Sequence, residues 1–237
     1  REVHSWTSPG GHTGLSSYLL ENGDLLRPVN LGNNQPGEFS AGGSMGGFER
    51  ISWDGELEWF WTYSSETYRS HHDIEPLPNG NILIIAWDYK DASQAEEKGR
   101  ILGDTSSRTI GTTSVWPDKV LEVKPVGIDD AEIVWEWSFW DHTIQDIDDT
   151  KDNFGVISEH PELIDINFGA VGQNWLHCNG IDYNYLLDQI ALSCRNTNEI
   201  YIIDHSTTTQ EAAGHTGGNS GMGGDILYRY GNPESYD

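Results

Sequence analysis

Basic residues are scarce in this chain of 237 residues: 13 Lys and Arg stand against 38 Asp and Glu, a formal charge of −25. Such a field repels nucleic acid and anionic membranes, so neither is expected as a partner. It suits a solvated acidic surface, an exported protein, a salty habitat or calcium binding. No segment approaches the ~20 apolar residues of a membrane-spanning helix, and no secretory leader is legible. No long stretch carries apolar residues at helical spacing. Cysteine is nearly absent. Cys178 and Cys194 are too few to define a disulfide scaffold, and they leave the redox compartment open.

Glycine and tryptophan are abundant, with 27 and 10 residues, although only 36% of the chain is hydrophobic. Large aromatic side chains can supply the buried area that a modest aliphatic content does not. Strand signals recur between turn signals. SYLLENGDLLRPV and FERISWDGELEWFWTYS read as hairpins turning at Asn22-Gly23 and Asp54-Gly55. HHDIEPLPNGNILIIAWDY, VLEVKPVGIDDAEIVWEWSF and the run from Asn174 to Asp204 repeat the theme, and DILYRYGNP adds a strand. An all-β fold follows.

The units look alike: an aromatic strand leads outward, then a His-bearing strand opens the next unit. Repeated short sheets of this kind predict a β-propeller, with a sandwich as the alternative. Three to four blade-like units are legible, fewer than most closed rings use. The expectation is therefore a single, incomplete propeller domain over 1–237. A C-terminal segment, a second chain or a homo-oligomer would cover its open strand edges.

Two segments resist the strand reading. KDASQAEEKGR, residues 90–100, suits a short helix or a loop. Residues 145–167 form an acidic insertion in which Asp146, Asp148, Asp149 and Asp152 offer oxygen ligands for a structural Ca²⁺, although their spacing is not that of an EF-hand.

One constellation carries chemistry. Alternation along a strand puts His177 and Asn179 on one face and Cys178 on the other. On the return strand Arg195 and Ser193 share a face. A turn near Tyr185 to Leu187 brings Cys178 opposite Cys194, either as a disulfide or as small apolar fillers. His177, Asn179 and Arg195 then cluster, and an imidazole, an amide and a guanidinium suit an anion with several oxygens. The competing reading pairs Arg195 with a neighbouring acid. His71 and His72 in HHD, and His142 in WDHTIQD, are further candidates, as channel residues or as blade-stabilising side chains. No HExxH-type spacing marks a metal site. The run GHTGGNSGMGGD lacks the Lys-Ser/Thr ending of a phosphate loop and leads into a strand, so it reads as a mobile or tightly turned loop.

HHDIEPLPNGNILIIAWD, VWEWSFWDHTIQD, NWLHCNGIDYN, QIALSCRNTNEIYIIDHSTTTQEAAGHTGG and GGDILYRYGNP together resemble the arylsulfotransferase family, the bacterial aryl-sulfate sulfotransferases and their relatives. The resemblance implies a six-bladed propeller exported to the periplasm or the exterior. It implies sulfuryl transfer from an aryl sulfate to a phenol without a nucleotide donor, by a ping-pong route through a sulfated histidine and with no cofactor. The family's His-x-Asn motif falls on His177 and Asn179, its following arginine on Arg195, and its earlier channel histidine on His72, with His71 as second choice. The family's nucleophilic histidine is expected downstream of GNP, beyond Asp237. The alternatives are a non-catalytic propeller that binds sulfated or phenolic ligands or serves in assembly, and a sulfate-ester hydrolase.

Overall fold

Three larger antiparallel sheets organise the chain. The computed structural model describes residues 1–8, 10–32, 34–102, 113–170 and 172–236. The first sheet joins β1 (Leu25–Asn30), β2 (Gly46–Ile51) and β3 (Leu57–Thr62), with the short strands His12–Thr13 and Tyr18–Leu19 both pairing along β1. The second places β4 (Tyr68–Pro76), β5 (Ile82–Asp88), β6 (Asp118–Val126) and β7 (Asp130–Ser138) side by side in chain order. The third does the same with β8 (Cys178–Asn184), β9 (Gln189–Cys194), β10 (Glu199–Asp204) and β11 (Tyr228–Tyr230). The labelled strands of each sheet form a meander, so consecutive labelled strands within a sheet are neighbours in space.

The run ILIIAW in β5 shows no polar alternation because its sheet is covered on both faces. Ile82, Ile84 and Ala86 join Leu26, Phe48 and Trp59 of the first sheet in one core cluster. Leu83 and Ile85, pointing the other way, join Ile181, Ile190, Leu192 and Tyr201 of the third sheet in another. β6 divides likewise, with Val120 in one cluster and Leu121 and Val123 in the other. Each fully buried aliphatic side chain contributes roughly 1.5–3 kcal/mol relative to exposure. The sheets therefore stack face to face in chain order.

The three Xaa-Gly turns share one geometry. Leu20, Ser52 and Leu77 each accept a hydrogen bond from the glycine three residues on and pair with the residue four on. Gly23, Gly55 and Gly80 have φ of 92°, 92° and 86°. This is the three-residue loop in which a type I turn is followed by a glycine bulge, and its last position needs a residue free of Cβ strain. Residues 92–97 form the short helix α1 (Ala92–Glu97). Asp91 and Gln94 close a reciprocal capping box at its start. The acidic insertion is held by parallel pairing of Thr143–Ile144 with Ile164–Asp165. Among the described residues no helix is long and apolar enough to cross a membrane.

Candidate functional site

β4 and β8, the first strands of the second and third sheets, lie against each other, and the Ile181 amide donates to Asp73 Oδ2 across the gap at 3.2 Å. Both strands break their ladders there. In β4 the register slips between Ser70 and Ile74, leaving His71, His72 and Asp73 outside the pairing with β5. In β8 it slips between Cys178 and Gly180, leaving Asn179 unpaired with β9. A bulge of this kind re-aims side chains that a regular strand would hold to alternate faces. His72 and His177 also adopt positive φ, 55° and 54°. Non-glycine residues enter that region rarely and at a cost that surrounding contacts must hold in place. For His72 the hold includes its amide, which donates to Gly43 O at 2.8 Å.

The bulges bring three imidazoles together. The His72 and His177 rings meet edge to face, with centroids 4.6 Å apart and planes at 71°. His71 Nδ1 and His72 Nδ1 are 2.9 Å apart, so one of them donates to the other. His71 is fully enclosed. Its ring stacks on Trp87 at 4.0 Å, and its Nε2 lies 3.1 Å from Asp118 Oδ1, outside the alignment of a full hydrogen bond. Asp118 and Trp87 are cross-strand partners, so β5 and β6 grip the histidine from face and edge at once. Asp118 Oδ1 also accepts the Cys178 amide at 3.1 Å, tying the second sheet to the third. Asn174 Nδ2 lies 2.5 Å from His177 Nδ1.

Burial sets the charge state of this cluster. Desolvation and the neighbouring His177 hold His71 well below the usual imidazole range. Desolvation, then His71 and His177, push His72 down to about 3. His177 is lowered as well, chiefly by desolvation. Asp118, sealed from water, is raised to about 8. Removing a charge from water costs more than these contacts return, so burial favours the uncharged form of each imidazole and of the acid.

Arg195 supplies the positive charge. Its amide donates to His177 O at 3.1 Å, and its guanidinium is felt at both His72 and His177, lowering each. Its side chain is exposed and makes no ion pair or hydrogen bond among the described residues. The pairing with a neighbouring acid that the sequence left open is not made among the described residues. Asn179, in the bulge, is also exposed. Cys178 and Cys194 pair across β8 and β9 and form a disulfide, the first of the two alternatives left by the sequence. The bond lies between His177 and Asn179 on one strand and immediately before Arg195 on the other.

The remaining candidates lie elsewhere. His142 is buried away from the cluster, with Nδ1 at 2.9 Å from Asp225 Oδ1 and Nε2 at 2.8 Å from Ala212 O. The four aspartates of the insertion do not converge as a ligand group. Asp148 instead closes a local turn, accepting from Thr150 N and Oγ1. A concavity of about 710 Å³ opens beside the insertion, lined in part by Trp140, Asp141, His160 and His215. Sequence reasoning missed Asp118 and Asn174. Asp118 reaches the site from another hairpin, which no local spacing announces. Asn174 stands three residues before His177 in NWLH and was within reach of a closer look at that motif.

None of the curated proteins matches the chain. The sequence profile of the family described as Arylsulfotransferase (ASST) matches residues 55–211, which is 157 of the 237 residues. The matched span includes both histidine-bearing bulges, Asp118, the disulfide and Arg195. The chain belongs to the arylsulfotransferase family.

Proposed function

We propose that the chain binds aryl sulfate esters and serves the transfer of their sulfuryl group to a phenol. In that reaction the ester S–O(aryl) bond breaks and the sulfuryl group passes through a histidine to the acceptor oxygen. The acceptor's proton ends on the departing phenoxide. The observation that carries the reading is the guanidinium of Arg195, exposed and without an ion-pair partner among the described residues, beside the uncharged rings of His72 and His177. In a protein of charge −25 an anionic ester needs a local positive site of this kind.

Each group has a role that fits its chemistry. Arg195 and the Asn179 amide hold the sulfuryl oxygens and stabilise the charge that builds on them during transfer. His72, kept neutral, binds a further oxygen through a ring N–H. His177 exchanges a proton with the leaving or the attacking phenol. Asn174 is a positioning residue. Its N–H on Nδ1 leaves the proton on Nε2, and its carbonyl, turned half a rotation, would free Nε2 as a base. His71 and Asp118 hold His72 from behind. The three face-to-face meanders support a propeller, the six-bladed ring that the family resemblance implies. The disulfide supports an oxidising compartment, hence the periplasm or the exterior.

Calorimetry with a chromogenic aryl sulfate, alongside its turnover with and without added phenol, tests the proposal. Arg195→Ala is expected to weaken donor binding roughly tenfold to a hundredfold, the worth of charge-assisted hydrogen bonds. Equal binding by the variant and the parent chain would reject the site. Phenol-independent release of the aryl alcohol would point to hydrolysis, and binding without turnover to a ligand-binding module.

A further inference from the structure

We infer that His142, His215 and Asp225 form a binding site for one divalent ion of the zinc class, separate from the sulfuryl site and independent of its reading. One ring nitrogen from each histidine and one Asp225 oxygen lie within 4.8 Å of one another. Both imidazole nitrogens approach the same Oδ1, at 2.9 Å and 2.7 Å.

The far side of His142 fixes which of its nitrogens carries the proton. Nε2 lies 2.8 Å from the Ala212 carbonyl, which can only accept, so Nε2 bears the hydrogen. The lone pair of a neutral ring then sits on Nδ1 and faces a carboxylate oxygen. Two lone pairs at that separation require a cation between them, either a proton or a metal. A backbone carbonyl on the second ring nitrogen is also the usual support of a metal-bound histidine. His142 is completely buried, and its ring lies parallel to Trp137.

The glycine-rich segment that fails as a phosphate loop finds its use here. Gly217, Gly221 and Gly223 take positive φ. The amides of Gly223 and Gly224 donate back to Gly217 O and Gly214 O, folding the loop so that His215 returns to Asp225. At Gly224 a Cβ would stand 2.6 Å from His142 Nε2 and closer still to Ala212 O, so only glycine admits the ring. Trp137 Nε1 pins the same residue by donating to Gly224 O at 2.6 Å.

Two nitrogens and one carboxylate oxygen suit zinc or its neighbours rather than calcium, which takes oxygen ligands. Bond lengths of about 2.0–2.2 Å put tetrahedral ligand atoms roughly 3.3 Å apart, so the two nitrogen–oxygen separations need to open by only about half an ångström. His215 is 60% exposed at its side chain and lines the concavity of about 710 Å³. The remaining coordination position therefore opens toward water or a small ligand.

The chain would be stripped with chelator and titrated with Zn²⁺ by calorimetry and with Co²⁺ by visible absorption. The expected result is one equivalent bound, the intense bands of four-coordinate cobalt, and a rise in melting temperature with Zn²⁺. His215→Ala removes an exposed ligand and is expected to keep the fold by circular dichroism. It should lose binding by about tenfold or more, while His160→Ala on the same concavity should not. A parent chain that binds no Zn²⁺, or a folded His215→Ala that binds it as tightly, would overturn the site and leave a proton-bridged cluster.

Discussion

A methyl group at position 43 would land 2.0 Å from the His72 ring, at a backbone φ of +87°. The glycine bears no reactive group, yet it decides where an imidazole can rest. Gly43→Ala is expected to cost about 1–2 kcal/mol from backbone strain. It should displace His72 and weaken aryl sulfate binding well beyond what that loss of stability explains. Chemical denaturation and calorimetry on one preparation separate the two effects, and unchanged affinity would mean that His72 does not meet the ligand. The residues open to prediction were those whose type is informative alone: His72, His177, Asn179 and Arg195. Asp118 and Gly43 were not, because each acts through a contact set by another element, whereas Asn174 acts from three residues before His177, within the same motif. The alternation rule also failed at Asn179, where the bulge removes the residue from its ladder.

The cross-strand disulfide acts on an element rather than a residue. It joins positions 16 apart and ties β8 to β9 at the end that carries His177 and Arg195. Closing a loop of that size stabilises a fold by about 3 kcal/mol. Reductant, or the Cys178→Ser, Cys194→Ser double variant, is expected to lower the melting temperature and weaken donor binding together. A melting temperature indifferent to reductant would contradict this account. The spacing made the pairing legible but did not choose between a bond and apolar packing. The strands and turns were legible because two-residue alternation and Xaa-Gly signals are local. The continuous run of β5 was readable as buried, but not that two different sheets cover it.

A second link between elements is sensitive to pH. His205, after β10, bonds Glu122 of β6 at 3.0 Å and Asp188 of the β8–β9 turn at 2.7 Å. Burial alone would lower His205, but the two carboxylates outweigh it and raise its pKa. Burial would raise Glu122, but hydrogen bonds from His205, Asn81 and Asn79 outweigh it and lower its pKa. The histidine's contribution is complete below its unfolded pKa of about 6.5 and is lost as pH rises through the raised folded value. The glutamate's contribution is present above its unfolded pKa of about 4.3 and is lost as pH falls through the lowered folded value. The stability gap between the parent chain and His205→Ala should thus be larger near pH ~5.5 than near pH ~9. Denaturant titrations at both pH values measure it, and an equal gap would remove the charge linkage from the account.

At the scale of the whole molecule, composition foretold the acidic field and the all-β class, while the stacking of sheets in chain order emerged only from contacts distant in sequence. That field opposes the proposed ligand. The charge of −25 is spread over a body whose radius of gyration is expected near 18 Å. In water it disfavours an approaching anion by several kcal/mol at vanishing ionic strength. A Debye length of about 8 Å at physiological salt removes most of this repulsion. The contact of Arg195 with a sulfuryl oxygen acts at hydrogen-bond distance, well inside that length, and is screened far less. Donor affinity should therefore rise as salt is raised from about 0.01 M toward about 0.15 M, the reverse of the usual trend for an anion bound by arginine. The gain should persist in Arg195→Ala at lower absolute affinity, because the field belongs to the whole surface. Affinity that falls with salt throughout this range would show that local positive charge, not the acidic surface, governs the approach.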